Sequence, residues 1–421
     1  MAAARKKHLL VISQTFVPDP ASVGQHMTDV AVEMARRGHC VRVYTSARGY
    51  EDASARYPLR EVLLGVEIRR LPFASFGKKS LPLRVLGTAS FMVQCLLAGL
   101  FTPNVDAIFF STSPPLIGVV ASIIHIIRGV PLIYWAMDLN PDQLIALGKL
   151  KTSSPIARLF ESVNRVILRE SSLVIALDRF MADRLAPRSP GLRRKMLVMP
   201  PWPHEDHLRL PGRGDNPFPA RHGLDGKFVV MYSGNHSPSN PLSTLLQAAV
   251  RLKDDPDLRF AFIGGGSGKR EVEQVIREHK LTNALSLPYQ PLNELGNSLS
   301  AADVHVVSLG EAMVGIVHPC KIYGAMAVGR PILYLGPRPS HISDLLDRHG
   351  IGWHVPHGDV SGAVETLQAI KGTDRQMLEK MGQTAQSILR RRLSQQALCS
   401  RMCDAVEAVP GGQAGGATSA V

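Results

Sequence analysis

Along most of this chain, short apolar runs alternate with segments of helical period, and a proline-rich stretch interrupts the alternation once. In the first half, residues 8–13, 40–45, 66–71, 107–111, 131–135 and 173–176 read as strands, with helical period at 28–37 and 156–169 between them. Gly38 stands where a helix stop belongs, behind Arg36 and Arg37 in the last turn. Strands alternating with helices build βαβ units, which predicts a mostly parallel, doubly wound sheet. From Pro200 to Gly226 the sequence turns dense in Pro, Gly and charge, the composition of a linker. The rhythm then restarts, with strands at 228–232, 259–263, 285–287, 304–307 and 331–335 and helices at 242–252, 270–279 and 321–328. The expected fold class is α/β with two Rossmann-like doubly wound parallel-sheet domains, at 1–200 and 227–372, joined by a linker at 201–226. Residues 373–408 read as closing helices and 409–421 as a disordered Gly/Ala tail.

A length of 421 residues suits two such domains, and 45% hydrophobic with 20% charged residues is globular composition. Lys and Arg number 48 against 35 Asp and Glu, a net charge of +13, so an acidic partner is expected: nucleic acid, an anionic membrane surface or a phosphorylated substrate. Nucleic acid fits least, because 8 Tyr, 13 Phe and 3 Trp include no basic run interleaved with aromatics to stack bases. Five cysteines without a CxxC pair indicate neither a disulfide framework nor a zinc site, and a reducing cytoplasm is the simplest setting. The apolar segment after Met1-Ala2-Ala3-Ala4-Arg5-Lys6-Lys7 is too short for a signal-peptide core, which argues against an exported binding protein. No uninterrupted apolar run is long enough for a spanning helix. The stretch from Ser80 to Phe101 nevertheless follows Lys78 and Lys79 and carries one charge, Arg84, a pattern that suits either an anionic lipid interface or a buried helix. The apolar stretch from Leu116 to Ile127 reads as a buried helix.

Ligands of open parallel sheets bind at loops leaving the carboxyl ends of strands. The loop after the first strand, Gln14 to Gln25, lacks a GxGxxG fingerprint but brings Gly24 to a helix start, where it serves a ligand or merely the turn. After the fifth strand, Asp138 and Asp142 stand four residues apart and could hold a sugar hydroxyl or act as a base; capping by Asp138 or Asn140 explains the same residues. Gly264-Gly265-Gly266-Ser267-Gly268-Lys269-Arg270 fails the P-loop spacing and lacks its hydroxyl, yet glycines at a helix start beside Lys269 and Arg270 make a generic anion site. The richest stretch runs from Ser308 to Pro331: a strand end, a glycine-containing loop, Pro319, then Lys321 in the first turn of a helix stopped by Gly329. A lysine there opposes the helix dipole unless an anion sits between them.

The pattern of Lys321, Tyr323, Met326-Ala327 and Gly329-Arg330-Pro331 after a Gly-rich loop resembles family 4 glycosyltransferases of the GT-B fold. Phe16 to Gly24, Asp138-Leu139-Asn140-Pro141-Asp142 through Leu147-Gly148, and Tyr232-Ser233-Gly234-Asn235-His236 are similar to motifs of the colanic-acid and N-acetyl-fucosamine transferase type of bacterial polysaccharide assembly. The resemblance covers about residues 8 to 405. It implies two domains facing across a cleft, with a nucleoside-diphosphate sugar, expected to be a UDP-sugar, held mostly by the second and a lipid-linked or glycan acceptor on the first. It implies retaining transfer without a metal or cofactor. Gly24 would lie under the diphosphate, Asp138 near the reacting sugar and acceptor, and Lys269 facing the diphosphate. Lys321 and the amides of Gly315, Ile316 and Val317 would hold the distal phosphate or donor sugar, with Tyr289 at the base. Gly234, Asn235, His236, Arg270, Glu311, Tyr323 and Asp142 complete the expected substrate-binding set.

Three positions depart from the family pattern. Glu-x7-Glu is replaced by Ile316 and Gly324, with Glu311 as candidate substitute; the usual Arg/Lys pair falls within Ser237 to Asn240, which has no cation; and Met137 stands where a His often precedes the central Asp. A sugar-nucleotide epimerase of the same architecture and a non-catalytic nucleotide- or sugar-binding protein are the alternatives. The transferase reading carries an expected place with it, peripheral on the inner face of the plasma membrane, through Lys78, Lys79 and Ser80 to Phe101.

Overall fold

A computed structural model describes residues 6–19, 21–49, 54–74, 81–204, 208, 210–211 and 214–411. These fall into two compact units, one formed by residues up to Pro201 with those from Leu398 on, the other by Trp202–Ala397.

The first unit runs β1 (His8–Ile12), α1 (Ser22–Arg36), β2 (Cys40–Ser46), β3 (Arg60–Leu63), β4 (Val66–Leu71), α2 (Leu81–Phe101), β5 (Ala107–Phe110), α3 (Ile117–Arg128), β6 (Leu132–Ala136), α4 (Asp142–Ala146), α5 (Pro155–Glu170), β7 (Ser171–Ala176), α6 (Arg179–Leu185) and β8 (Met196–Val198). Its sheet has the order β3-β4-β2-β1-β5-β6-β7-β8, parallel except for the antiparallel β3–β4 pair. Leu10, Ile12, Ile108, Phe110 and Leu132 are fully buried beneath α2 and α3; each such side chain contributes roughly 1.5–3 kcal/mol. α3 matches the expected buried helix on one face, while Ile126 and Ile127 at its end are exposed.

α2 differs from an ordinary core helix. Phe91 and Cys95 are buried, and Gly99 lets the helix approach Ile124 of α3. Its other face exposes Val85, Leu86, Val93, Leu97 and Phe101, the last 83% accessible. Pro82–Phe101 is long and apolar enough to cross a membrane by length and composition, although Arg84, Thr88, Ser90 and Gln94 interrupt the apolar run. Lys78, Lys79 and Ser80 lie outside the described residues.

The second unit runs α7 (Pro217–Arg221), β9 (Phe228–Ser233), α8 (Ser243–Arg251), β10 (Leu258–Ile263), α9 (Lys269–Glu278), β11 (Ala284–Leu287), α10 (Leu295–Ser300), β12 (Val304–Ser308), α11 (Lys321–Ala327), β13 (Ile332–Leu335), α12 (His341–His349), β14 (Gly352–Val355), α13 (Val360–Lys371) and α14 (Arg375–Ile388). Its parallel sheet has the order β11-β10-β9-β12-β13-β14. The stretch expected to be a linker is packed into this unit where it is described: Trp202 and Phe218 are buried, Asn216 caps α7, and its side-chain amide donates to the Asn297 carbonyl at 2.8 Å.

A π-helical turn, Leu389–Leu393, leads to α15 (Gln395–Ala408), which docks on the first unit. Arg37 pairs with Asp404 and Glu407 (2.7 and 3.2 Å), and the buried His39 ring meets Glu407 at 2.9 Å. Lys7 Nζ donates to the carbonyls of Val406, Glu407 and Val409, satisfying the open end of the helix. Val409, placed in the tail by composition, is therefore buried and bonded; residues 412–421 lie outside the described residues.

Candidate active site

In the second unit the strand order reverses at β9, which pairs with β10 on one side and β12 on the other. Loops at such a switch point are where open α/β sheets hold ligands. Here they are stitched together. The Gly234 amide donates to Ile263 (2.9 Å), the His236 amide to Gly265 (2.7 Å) and the Gly268 amide to the His236 carbonyl (3.0 Å). The approach demands glycine: a Cβ on Gly264, at φ +130°, would overlap the Gly234 carbonyl, and one on Gly266, at φ +119°, the Asn235 side chain.

Lys321, the first residue of α11, lies across this seam. A Cβ on Gly234, at φ +134°, would come within 2.6 Å of Lys321 Cε, so the missing side chain is the space the lysine stem occupies. Nζ stands 5.4 Å from the centre of the Tyr232 ring, a contact worth roughly 0.5–2 kcal/mol. Among the described residues no carboxylate pairs with it. Burial pushes its ammonium down to about 8, which still leaves it charged at neutral pH. An unpaired, partly desolvated cation above glycine-lined strand ends is a seat for an anion.

His236 is buried beside it, edge-on to Tyr232 at 5.0 Å between ring centres. Its Nδ1 meets the Gly234 carbonyl at 3.1 Å, which assigns the proton to Nδ1 and leaves Nε2 an acceptor, buried and without a partner among the described residues. Burial first, then repulsion from Lys269 and Lys321, holds the ring below the usual histidine range, so it is neutral. Asn235 is exposed, and its carbonyl accepts from the Tyr232 hydroxyl at 2.7 Å.

Other expected residues are placed differently. Lys269 does not present its ammonium to a ligand here: it donates to the carbonyls of Gly264 (2.6 Å) and Leu287, tying together the ends of β10 and β11. Arg270 is exposed on the first turn of α9, and Tyr289, 59% accessible, lies over Gly265. The amides of Ile316 and Val317 are already bonded to the Met313 carbonyl (3.0 and 3.3 Å), so only the buried Gly315, of the three expected, keeps an amide without a protein acceptor among the described residues. Glu311 is exposed on a 3-10 turn after β12. Tyr323 is a core residue, 1% accessible, whose hydroxyl meets His318 Nε2 at 2.7 Å and His341 Nε2 at 3.4 Å.

In the first unit, Gly24 sits in the first turn of α1, where a Cβ would come within 3.0 Å of the Thr15–Phe16 backbone; its bareness serves contact with the preceding loop. Asp138 follows β6 with its backbone amide donating to Thr112 Oγ1 at 3.3 Å. No donor among the described residues reaches its carboxylate, and burial raises its pKa. Asp142 is not a free carboxylate. It pairs with Arg188 at 2.5 Å and Arg184 at 3.6 Å, and Arg188 reaches on to Glu161 at 3.4 Å, so it locks α4 to α5 and α6.

Sequence reasoning missed Tyr232 as the floor under Lys321 and Arg188 as the partner of Asp142. The first had a local signal, an aromatic one residue before the strand end; the second, 46 residues away in sequence, had none.

Residues 22–202 match the glycosyl transferase 4-like domain, and residues 216–388 match the glycosyl transferases group 1 domain. WbjE of Pseudomonas aeruginosa, which carries a glycosyltransferase name, is 27% identical over 69% of this chain and 71% of its own length. WcaI of Escherichia coli, named for colanic acid biosynthesis, is 25% identical over 76% of this chain and 81% of its own. The structure of HepE from Anabaena in complex with UDP and glucose superposes with a TM-score of 0.70 at 15% identity, covering 95% of this chain and 99% of that one. The fold is thus that of the GT-B glycosyltransferases, and the chain comprises a glycosyl transferase 4-like domain followed by a glycosyl transferases group 1 domain.

Proposed function

We propose that this protein is a retaining, metal-independent glycosyltransferase that moves a sugar from a nucleoside-diphosphate sugar, a UDP-sugar, to a lipid-linked or glycan acceptor in cell-surface polysaccharide assembly. The observation that carries this reading is Lys321: a half-buried ammonium, unpaired among the described residues, laid across Gly234 and Tyr232 at the switch point of the second sheet. In the reaction the bond from the sugar C1 to the diphosphate oxygen breaks, a bond from C1 to the acceptor oxygen forms, and the acceptor proton leaves. Charge builds on the departing diphosphate, and a preplaced cation in a partly dry site stabilises it more than water would. The Gly315 amide adds a neutral donor, and His236 Nε2 offers an acceptor to a sugar or ribose hydroxyl. Asp138 on the first unit accepts a hydrogen bond from the acceptor. The nucleotide-bound HepE and the colanic-acid name of WcaI support the donor and pathway class.

The exposed apolar face of α2, following Lys78 and Lys79 in the sequence, supports attachment to the inner face of the plasma membrane, where a lipid-linked acceptor resides. A thermal-shift series with UDP, GDP, ADP and CMP on wild type and Lys321→Ala tests the donor site. Saturating ligand at about 100 times its dissociation constant stabilises by roughly 2.7 kcal/mol. A shift with UDP, lost in Lys321→Ala, is expected; no shift with any nucleotide would remove the transferase reading.

A further inference from the structure

At the carboxyl ends of β5 and β6 the first unit has a small crevice, open to solvent, with Asp138 in its wall. Its lining combines apolar residues, Pro115, Ile117 and Phe160 among them, with the polar Ser111, Tyr134 and Asp138. Ser111 is 1% accessible, yet its hydroxyl has no partner among the described residues. A buried hydroxyl left unpaired is unfavourable unless something outside the protein completes it. The Asp138 carboxylate also lacks a protein donor among the described residues. The bordering loop is strained: Leu116, a bulky residue, is held at φ +70° where α3 begins. The start of α3 lies in the crevice wall; there the Ile117 amide donates to Pro114 (3.2 Å) and the Val119 amide to Leu116 (2.9 Å), which leaves the Gly118 amide without an acceptor among the described residues.

These groups select a ligand chemistry. A carboxylate is repelled by Asp138, and an ammonium is opposed by the positive end of α3. A lone hydroxyl leaves the apolar lining uncovered. We propose that the crevice is a subsite for an acylamino group on the acceptor sugar. Its carbonyl oxygen accepts from the Ser111 hydroxyl and the Gly118 amide, its N–H donates to one oxygen of Asp138, and its methyl lies against Pro115, Ile117 and Phe160. The second Asp138 oxygen is left for a neighbouring sugar hydroxyl. This inference rests on the first unit receiving the acceptor, as proposed above.

Saturation-transfer NMR with UDP present, using the methyl glycosides of N-acetylglucosamine, glucosamine and glucose, tests it on wild type and Ser111→Ala. The expected result is strong saturation of the acetyl methyl and binding about fivefold or more tighter than the glucose glycoside, the worth of one hydrogen bond and a buried methyl. Ser111→Ala should abolish that preference without lowering the melting temperature, since it removes an unpaired buried hydroxyl. Equal or undetectable binding of the three sugars, a preference that survives Ser111→Ala, or a lowered melting temperature in that variant would each overturn the proposal. The UDP thermal shift, read on the same samples, separates the two failures: UDP binding without sugar discrimination sinks the crevice alone, and loss of both sinks the transferase reading.

Discussion

Replacing Gly234 by alanine probes the seat of Lys321 through a single methyl group. The new Cβ would stand 2.6 Å from Lys321 Cε and 3.2 Å from Cδ, so the flexible lysine stem, not the backbone, has to give way. At φ +134° the alanine is also strained, by roughly 1–3 kcal/mol. For a chain of 421 residues that lowers the melting temperature by about 1–3 °C. Expelling the ammonium from its place removes one charge-assisted contact to a diphosphate, about 1.5–3 kcal/mol, or roughly 10- to 150-fold in UDP affinity. Gly223→Ala is the control: its φ is +64° but no atom lies within 4 Å of the new Cβ, so it carries strain without touching the lysine. Calorimetric titration of UDP into wild type and both variants, with melting curves alongside, reads the two effects separately. Wild-type UDP affinity in Gly234→Ala, or an equal loss in Gly223→Ala, would refute the reasoning that the glycine exists to pass the lysine.

Three further outcomes follow from the geometry. Burial pushes the Lys321 pKa down to about 8 in the free protein, so UDP affinity should fall about twofold from pH 7 to 8 and up to tenfold per unit above that, as binding must recover the lost proton; titrations at pH 7, 8 and 9 that agree would contradict this. Arg188→Met leaves Asp142, 11% accessible, without its main partner, and should lower stability by about 3 kcal/mol in chemical denaturation, whereas a change within 0.5 kcal/mol would show the pair to be idle. Leu86→Asp with Val93→Asp and Leu97→Asp on the exposed face of α2 should release the protein from anionic phosphatidylglycerol vesicles while leaving its melting temperature unchanged; undiminished sedimentation with vesicles would end the membrane assignment.

What the sequence disclosed depends on where each element lies in its sheet. Interior strands such as β1, β5 and β9 have two partners and two covered faces, so they are written as continuous apolar runs. The strands it did not disclose, β3, β8 and β14, are all at sheet edges, with few buried residues and one neighbour each. α7 was hidden by Pro217 and Pro219, which a composition count assigns to a linker although proline at the start of a helix is favourable. In the site, the glycine loops and Lys321 were legible because the chemistry is local: strand end, glycine, helix start. The engagement of Lys269 was not, because the carbonyl of Leu287 comes from a neighbouring strand 18 residues on. Nor was the occupation of the Ile316 and Val317 amides, which depends on how the 3-10 turn at Glu311–Met313 closes.

Chemical transfer from a nucleotide sugar is measured most directly by consumption of the donor. The full chain is incubated with UDP-, GDP- and ADP-sugars, with and without polyprenyl-diphosphate-linked saccharide in vesicles, and products are followed by phosphorus and proton NMR. UDP is expected to be released from a UDP-sugar only when the lipid acceptor is present, with an α-linkage retained from the α-donor, and release is expected to be lost in Lys321→Ala. Conversion of the sugar nucleotide without acceptor would show an epimerase instead, and no consumption of any donor, with acceptor present, would contradict the assignment.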